Sequence, residues 1–148
     1  MGAWGAGPFD NDGAMDWFIA YQDDGVSALS EVIAELVDED ASDFIGADVG
    51  AGVVAAAEVV AACHGKPLTQ VAVSPMGPEV DSFQADLVQH KAAILDAPDM
   101  VPALLMGLKR IVVIDQSELA ELWAEAEPAD NAAFLASIAD VTARLEAV

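Results

Sequence analysis

Apolar residues recur along this chain every three or four positions, the spacing that places side chains on one face of an α-helix. The clearest run lies between positions 29 and 37 and consists of Leu29, Val32, Ile33, Leu36 and Val37. Serine and acidic residues fill the positions opposite this stripe. The pattern is typical of a helix that buries one side and exposes the other.

Further stripes with the same period predict helices along most of the chain. No segment alternates apolar and polar residues over the length of a strand, and no pair of segments is joined by a hairpin turn motif. The pattern therefore predicts an all-α fold in which residues 1–148 form one domain, a single compact bundle of six or seven helices. Residues 1–12 form an N-terminal segment of this domain. The stripes are Ala14, Trp17, Phe18 and Tyr21; Val80, Phe83, Leu87, Ile94 and Leu95; Val101, Leu104, Leu105, Leu108, Ile111 and Val112; Leu119, Leu122 and Trp123; and Phe134, Leu135, Ile138, Val141 and Leu145.

Residues 48–63 are mostly alanine and valine and contain one charge in their second half, Glu58. This run is shorter than the roughly 20 apolar residues that a membrane-spanning helix requires. We therefore expect a buried helix at the centre of the bundle, ended by Gly65. Prolines and glycines crowd residues 65–78 and predict an internal loop there.

Residues that can cap helices precede two of the predicted helices. Asp10, Asn11 and Asp12 come just before the first stripe, and any of them can accept a hydrogen bond from the free amides of a helix start. Asp115 and Glu118 have the spacing of a capping box ahead of Leu119.

The charge of the chain is strongly one-sided. Twenty-six acidic residues face five lysines and arginines, for a formal charge of −21, and residues 1–65 contain half of the acids and no lysine or arginine. Such a surface repels nucleic acid and anionic membranes and attracts cations. We expect a basic protein as the candidate partner, no nucleic acid and no membrane, while self-association into a homo-oligomer stays open.

Known catalytic and metal-binding patterns are missing from the sequence. A calcium loop that began at Asp10 would place Tyr21 where the bidentate glutamate belongs. Cys63 and His64 are adjacent, but the chain has too few further cysteines and histidines for a zinc site. We therefore expect no catalytic residue, no metal and no cofactor. A single cysteine and the lack of a signal-peptide pattern favour the cytoplasm.

The N-terminal string at 1–12, followed by Ala14, Asp16 and Trp17, resembles the opening signature of a bacterial family known as domain of unknown function 4259. Residues 55–67 resemble the central helix and exit turn of that family, and residues 117–123 resemble its late helix. The resemblance implies no established activity.

If the family shares a binding site, the resemblance places it within residues 4–17. The candidate partner-binding residues are then Trp4, Asp10, Asn11, Asp12 and Asp16. The alternative is structural, with Trp4 and Phe9 filling the bundle while residues 10–12 cap the first helix. The same choice between core and docking surface applies to Trp17 and Trp123.

Three classes of function stay open at this point, and the role of the chain is unknown. The first is a helical protein whose acidity serves solubility, with no recognisable catalytic site. The second is an immunity-like or inhibitor-type binding module for a basic protein partner. The third, an enzyme, is the least favoured because the usual nucleophile, base and metal patterns are missing.

Overall fold

A computed structural model describes residues 7–36, 44–66 and 85–148. These residues form helices and turns with no strand, which confirms the all-α prediction. Trp4 and nearly all of the predicted loop at 65–78 lie outside the described residues. The helices are α1 (Asp12–Asp24), α2 (Val26–Leu36), α3 (Ala47–Cys63), α4 (Lys91–Leu95), α5 (Met100–Ile111), α6 (Glu118–Ala124) and α7 (Pro128–Glu146), and residues 85–87 are also helical.

Helix α3 is the centre of the bundle, as the sequence predicted. It packs against each of the six other helices. Every residue from Gly50 to Cys63 is buried, because a helix that is apolar on all sides needs neighbours on all sides. Gly65 follows the helix with φ of +80°, a left-handed conformation that favours glycine. No helix in the described ranges is long and apolar enough to cross a membrane.

Helices α1 and α2 meet at a corner formed by a single residue, Gly25. Its φ is +62°, and its N–H donates to the carbonyl of Tyr21 at 2.7 Å. A Cβ at this position would lie 3.0 Å from Nδ1 of His90. Both the backbone conformation and the close ring therefore require glycine here.

The start of α3 is held by the segment before α6. The N–H of Ile45 donates to the carbonyl of Gln116 at 2.8 Å, and the N–H of Glu118 donates to the carbonyl of Ile45 at 2.9 Å. Oε1 of Glu118 accepts from the N–H of Ala47, the first residue of α3, at 2.7 Å. This carboxylate therefore supports the start of α3.

The predicted capping box of Asp115 and Glu118 is wrong. Ser117 caps α6, with its Oγ accepting from the N–H of Ala120 at 3.3 Å. The side chain of Glu118 binds the first amide of α3.

The predicted helix between residues 80 and 96 is described from residue 85 onward, with Val80 and Phe83 outside the described residues, and this described part is interrupted at residues 88–90. Tyr21 Oη donates to the carbonyl of Leu87 at 2.7 Å, and the N–H of Lys91 instead donates to the carbonyl of Val88 at 3.1 Å. The hydroxyl thus takes the place of the helical donor. Leu95, expected in the core, is 42% exposed because the short α4 buries only Ile94.

Candidate functional site

Two of the candidate residues at the N-terminus bind the nearby backbone. Oδ1 of Asn11 accepts from the N–H of Ala14 at 2.8 Å, which makes Asn11 the N-cap of α1. Oδ2 of Asp10 accepts from the N–H of Gly7 at 3.1 Å. Asn11 therefore caps the first helix, as the structural alternative predicted, whereas Asp10 binds an amide that precedes the helix and does not cap it.

The other candidates do not join them. Asp12 and Asp16 are exposed on the outer side of α1, one turn apart. With two polar side chains engaged by the backbone and two facing solvent, the segment does not assemble the four into one site.

Phe9 fills the bundle at the entrance to α1. Its side chain is buried, and its ring meets Phe18 edge-on with centroids 5.7 Å apart. A small neighbouring cavity also reaches Asn11, and the described residues that line it are all uncharged. Its lining residues are Gly7, Pro8, Asn11, Ala51, Val54, Leu119, Trp123, Phe134, Ser137 and Ile138.

A larger groove lies between α1, α2 and α3. Its apolar lining comes from small and branched side chains, and three exposed carboxylates surround it. The described residues that line it include no lysine or arginine. We call it the acidic groove, and its lining residues are Trp17, Ala20, Ala28, Glu31, Val32, Glu35, Asp48, Val49 and Gly52.

The indole of Trp17 is a fixed wall of the acidic groove. Its Nε1 donates to the carbonyl of Ala28 at 3.3 Å, and the ring stacks on Tyr21 with centroids 5.5 Å apart. Because the hydrogen bond and the stacking act together, the position of the aromatic ring is set before any ligand arrives.

A second recess adjoins the acidic groove and shares Glu35 and Val49 with it. Phe44 lines this recess and is 43% exposed. Arg110 lines it as well, and its Nη1 donates to the carbonyl of Leu36 at 3.0 Å. The guanidinium of Arg110 is therefore hydrogen-bonded to the last residue of α2.

Exposed carboxylates cover the outer sides of α1, α2 and the start of α3. Sequence reasoning found the polar side of α2 but missed the groove, because the spacing of Glu31 and Glu35 does not reveal that Trp17 and Asp48 lie beside them. The exposed carboxylates are Asp12, Asp16, Asp23, Asp24, Glu31, Glu35 and Asp48, and we call them the acidic face.

An ion pair inside the bundle joins α3 to α7. Arg144 donates from Nη1 and Nη2 to the two carboxylate oxygens of Glu58 at 2.7 and 2.8 Å. It also meets Asp140 at 2.7 Å and donates to the carbonyl of Lys66 at 3.2 Å. The side chain of Glu58 is 1% exposed. The sequence signal was a lone acid in an alanine-rich run.

Burial and pairing act in opposite directions on these two groups. Burial raises the pKa of Glu58, and Arg144 offsets that rise in part. Burial lowers the pKa of Arg144, but its contacts with Glu58 and Asp140 outweigh burial and leave that pKa raised. The carboxylate of Glu58 is thus enclosed in the bundle, while the guanidinium of Arg144 is partly exposed at its edge.

Cys63 and Tyr21 lie together against the interrupted helix. The thiol donates to the carbonyl of Leu87 at 3.8 Å, and Tyr21 Oη accepts from the N–H of His90 at 3.3 Å. Burial raises the pKa of Cys63 to about 11 and that of Tyr21 to about 12. His64 is the C-cap residue of α3, and the thiol of Cys63 is directed at the carbonyl of Leu87.

Within the three described ranges, no group of three or more His, Cys, Asp or Glu side chains is placed to hold a metal ion. Comparisons with curated proteins and with solved structures find no match. A family model described as Domain of unknown function (DUF4259) matches residues 2–134. The match spans the N-terminal string, the central helix and the late helix that carried the resemblance, and the chain belongs to the DUF4259 family.

Proposed function

We propose that this protein is a binding module that covers a basic surface of another protein, without catalysing a reaction. The observation that carries the proposal is the acidic face. Its seven carboxylates are exposed on three adjoining helices, and residues 1–65 contain no lysine or arginine to neutralise them.

Two of the five lysines and arginines are held by other parts of the chain, and one of these, Arg110, lies at the edge of the acidic face in the recess that shares Glu35 with the groove. Arg144 is bound to Glu58 and Asp140, and Arg110 donates to the end of α2. A field of one sign steers a cationic partner toward the face and raises the association rate. An inhibitor or immunity-like protein needs this property, because it must capture its target quickly.

The state of Cys63 supports a role without catalysis. The thiolate is the reactive form of cysteine, and a buried thiol with a pKa of about 11 stays protonated near neutral pH. The single cysteine also fits our placement of the protein in the reducing cytoplasm.

Two variants with equal net charge test the proposal. The first, which we call the face variant, replaces the seven carboxylates of the acidic face by the corresponding amides. Its matched control replaces seven exposed carboxylates of the C-terminal half in the same way: Asp96, Asp99, Asp115, Glu121, Glu125, Glu127 and Asp130. Each variant and the native protein are mixed with native lysate and separated by size-exclusion chromatography, and stoichiometric partners are identified by mass spectrometry. We expect one basic protein to bind the native chain and the control but not the face variant.

A specific observation favours a second candidate, general solubility. Exposed carboxylates also occur on the later helices and in the turns between them, as the control set shows. On that alternative no stoichiometric basic partner is found, or both variants lose it equally, and either result would reject the proposed role of the acidic face.

A further inference from the structure

We propose that the acidic groove receives a single lysine or arginine side chain from the basic partner, as the anchor of the complex. The inference rests on the proposed function and adds the site and the chemistry of recognition. It follows from the position of three carboxylates and one indole around an apolar floor.

The groove matches the two parts of a long cationic side chain. Ala28, Val32 and Val49 line it with apolar atoms that suit a methylene stem. Glu31 and Glu35 lie one helical turn apart on α2 and present charge to the cationic head.

Asp48 and Trp17 complete the match. Asp48 adds a carboxylate from the first turn of α3, so charge reaches the groove from two helices. The indole wall adds cation–π attraction. Because the Trp17 ring is already held by Ala28 and Tyr21, little ordering is needed on binding.

The charge of the chain favours a different protein over a second copy as the occupant. Two copies at −21 repel each other, and the acidic face of one would have to approach the net-negative surface of the other. A basic partner gains attraction over the whole approach and then places one side chain in the groove.

Short capped peptides and NMR of the tryptophan indole N–H groups test the inference. The probe peptide carries one lysine between two leucines; companion peptides replace that lysine by arginine, by acetyl-lysine or by glutamate. Trp17→Phe assigns the indole signal of Trp17 among the three tryptophans. We expect the lysine and arginine peptides to shift this signal saturably and the other two to leave it unchanged.

Two double variants then locate the site. Glu31→Gln with Glu35→Gln should weaken binding of the lysine peptide by about tenfold or more. Glu121→Gln with Glu125→Gln removes two exposed carboxylates at the same i,i+4 spacing outside the groove, and should change binding by less than about twofold.

Equal weakening by both double variants would mean nonspecific attraction and would overturn the inference. So would a shift by acetyl-lysine, which points to apolar contact alone, or an unchanged Trp17 signal. Sedimentation that shows concentration-dependent dimers blocked by Glu31→Gln with Glu35→Gln would assign the groove to a second copy. In another outcome, the native partner is lost when the whole acidic face is replaced by amides but kept by Glu31→Gln with Glu35→Gln. In that case the proposed function stands while this inference fails.

Discussion

Arg144 donates hydrogen bonds to both carboxylate oxygens of Glu58, at 2.7 and 2.8 Å, although the two residues are 86 positions apart in the chain. The pair links α3, which is buried from Gly50 to Cys63, to the C-terminal helix at a position where the acid has almost no contact with solvent. Once the chain is folded, each partner depends on the other, because an unpaired buried charge is costly.

Removal of one partner should therefore destabilise the protein strongly. Arg144→Ala leaves Glu58 buried without its cation, and we expect a loss of about 3–5 kcal/mol in the free energy of unfolding. Urea denaturation followed by circular dichroism measures it. Asp140→Asn, at the exposed side of the same arginine, should cost about 1 kcal/mol or less.

The double replacement Glu58→Leu with Arg144→Met is the complementary test. Because it removes both charges and keeps apolar volume, we expect stability close to that of the native chain. A double variant as unstable as Arg144→Ala would show that shape, rather than an unpaired charge, limits this site.

The N-terminal candidates should differ sharply in their effect on stability. Phe9→Ala removes a buried aromatic ring that contacts Phe18, and we expect a loss of about 3–5 kcal/mol. Asp12→Asn with Asp16→Asn changes two exposed carboxylates and should cost about 1 kcal/mol or less. Thermal melts compare the two, and an unchanged melt for Phe9→Ala would contradict the assignment of Phe9 to the core.

Tyr21 should make the protein sensitive to alkali. The folded pKa of about 12 exceeds the ordinary value of 10.0, so the native state keeps the phenolic proton longer than the unfolded state does. This contribution is complete below pH 10 and is lost as pH rises toward 12. Since Tyr21 is the sole tyrosine of the chain, phenolate absorbance reports it directly, in native buffer and in urea.

Tyr21→Phe provides the control for that titration. It removes the hydroxyl that binds both the carbonyl of Leu87 and the N–H of His90. We expect a loss of about 1–3 kcal/mol near neutral pH and a weaker decline of stability between pH 10 and 12. Equal alkaline slopes for the variant and the native chain would assign the decline to other groups.

Salt should stabilise the folded chain. At −21 the carboxylates repel one another across a small surface, and ions screen charges beyond about 10 Å at 0.1 M. We expect the Tm to rise by several degrees between low salt and about 1 M NaCl, with about 2–4 °C for each kcal/mol. The face variant should show a smaller rise, and a flat native profile would mean that self-repulsion contributes little.

The sequence was sufficient where a helix is decided by its own residues. The stripe from Leu29 to Leu36 and the alanine-rich run before Gly65 both became helices close to their predicted bounds, because periodicity and end signals agree there. Asn11 as the cap of α1 belongs to the same class, since a cap bonds within a few residues of itself.

The sequence was insufficient where distant residues decide. The hydroxyl of Tyr21 interrupts a helix at Leu87, and the carboxylate of Glu118 supports α3 from α6. Neither partner is near the other in the chain, and periodicity contains no information about such pairs. The acidic groove has the same origin, because its walls come from three helices whose relative positions only packing determines.

The position of α3 has a consequence for fragments of the chain. This helix belongs to the N-terminal half, which has no cation before Lys66, yet α4 to α7 of the other half enclose much of its surface. Two fragments separated within residues 67–84 would each be anionic and would repel at long range. Their reassociation would depend on apolar contact and on the Glu58–Arg144 pair. Because added salt screens the repulsion between the two fragments, it should strengthen their association.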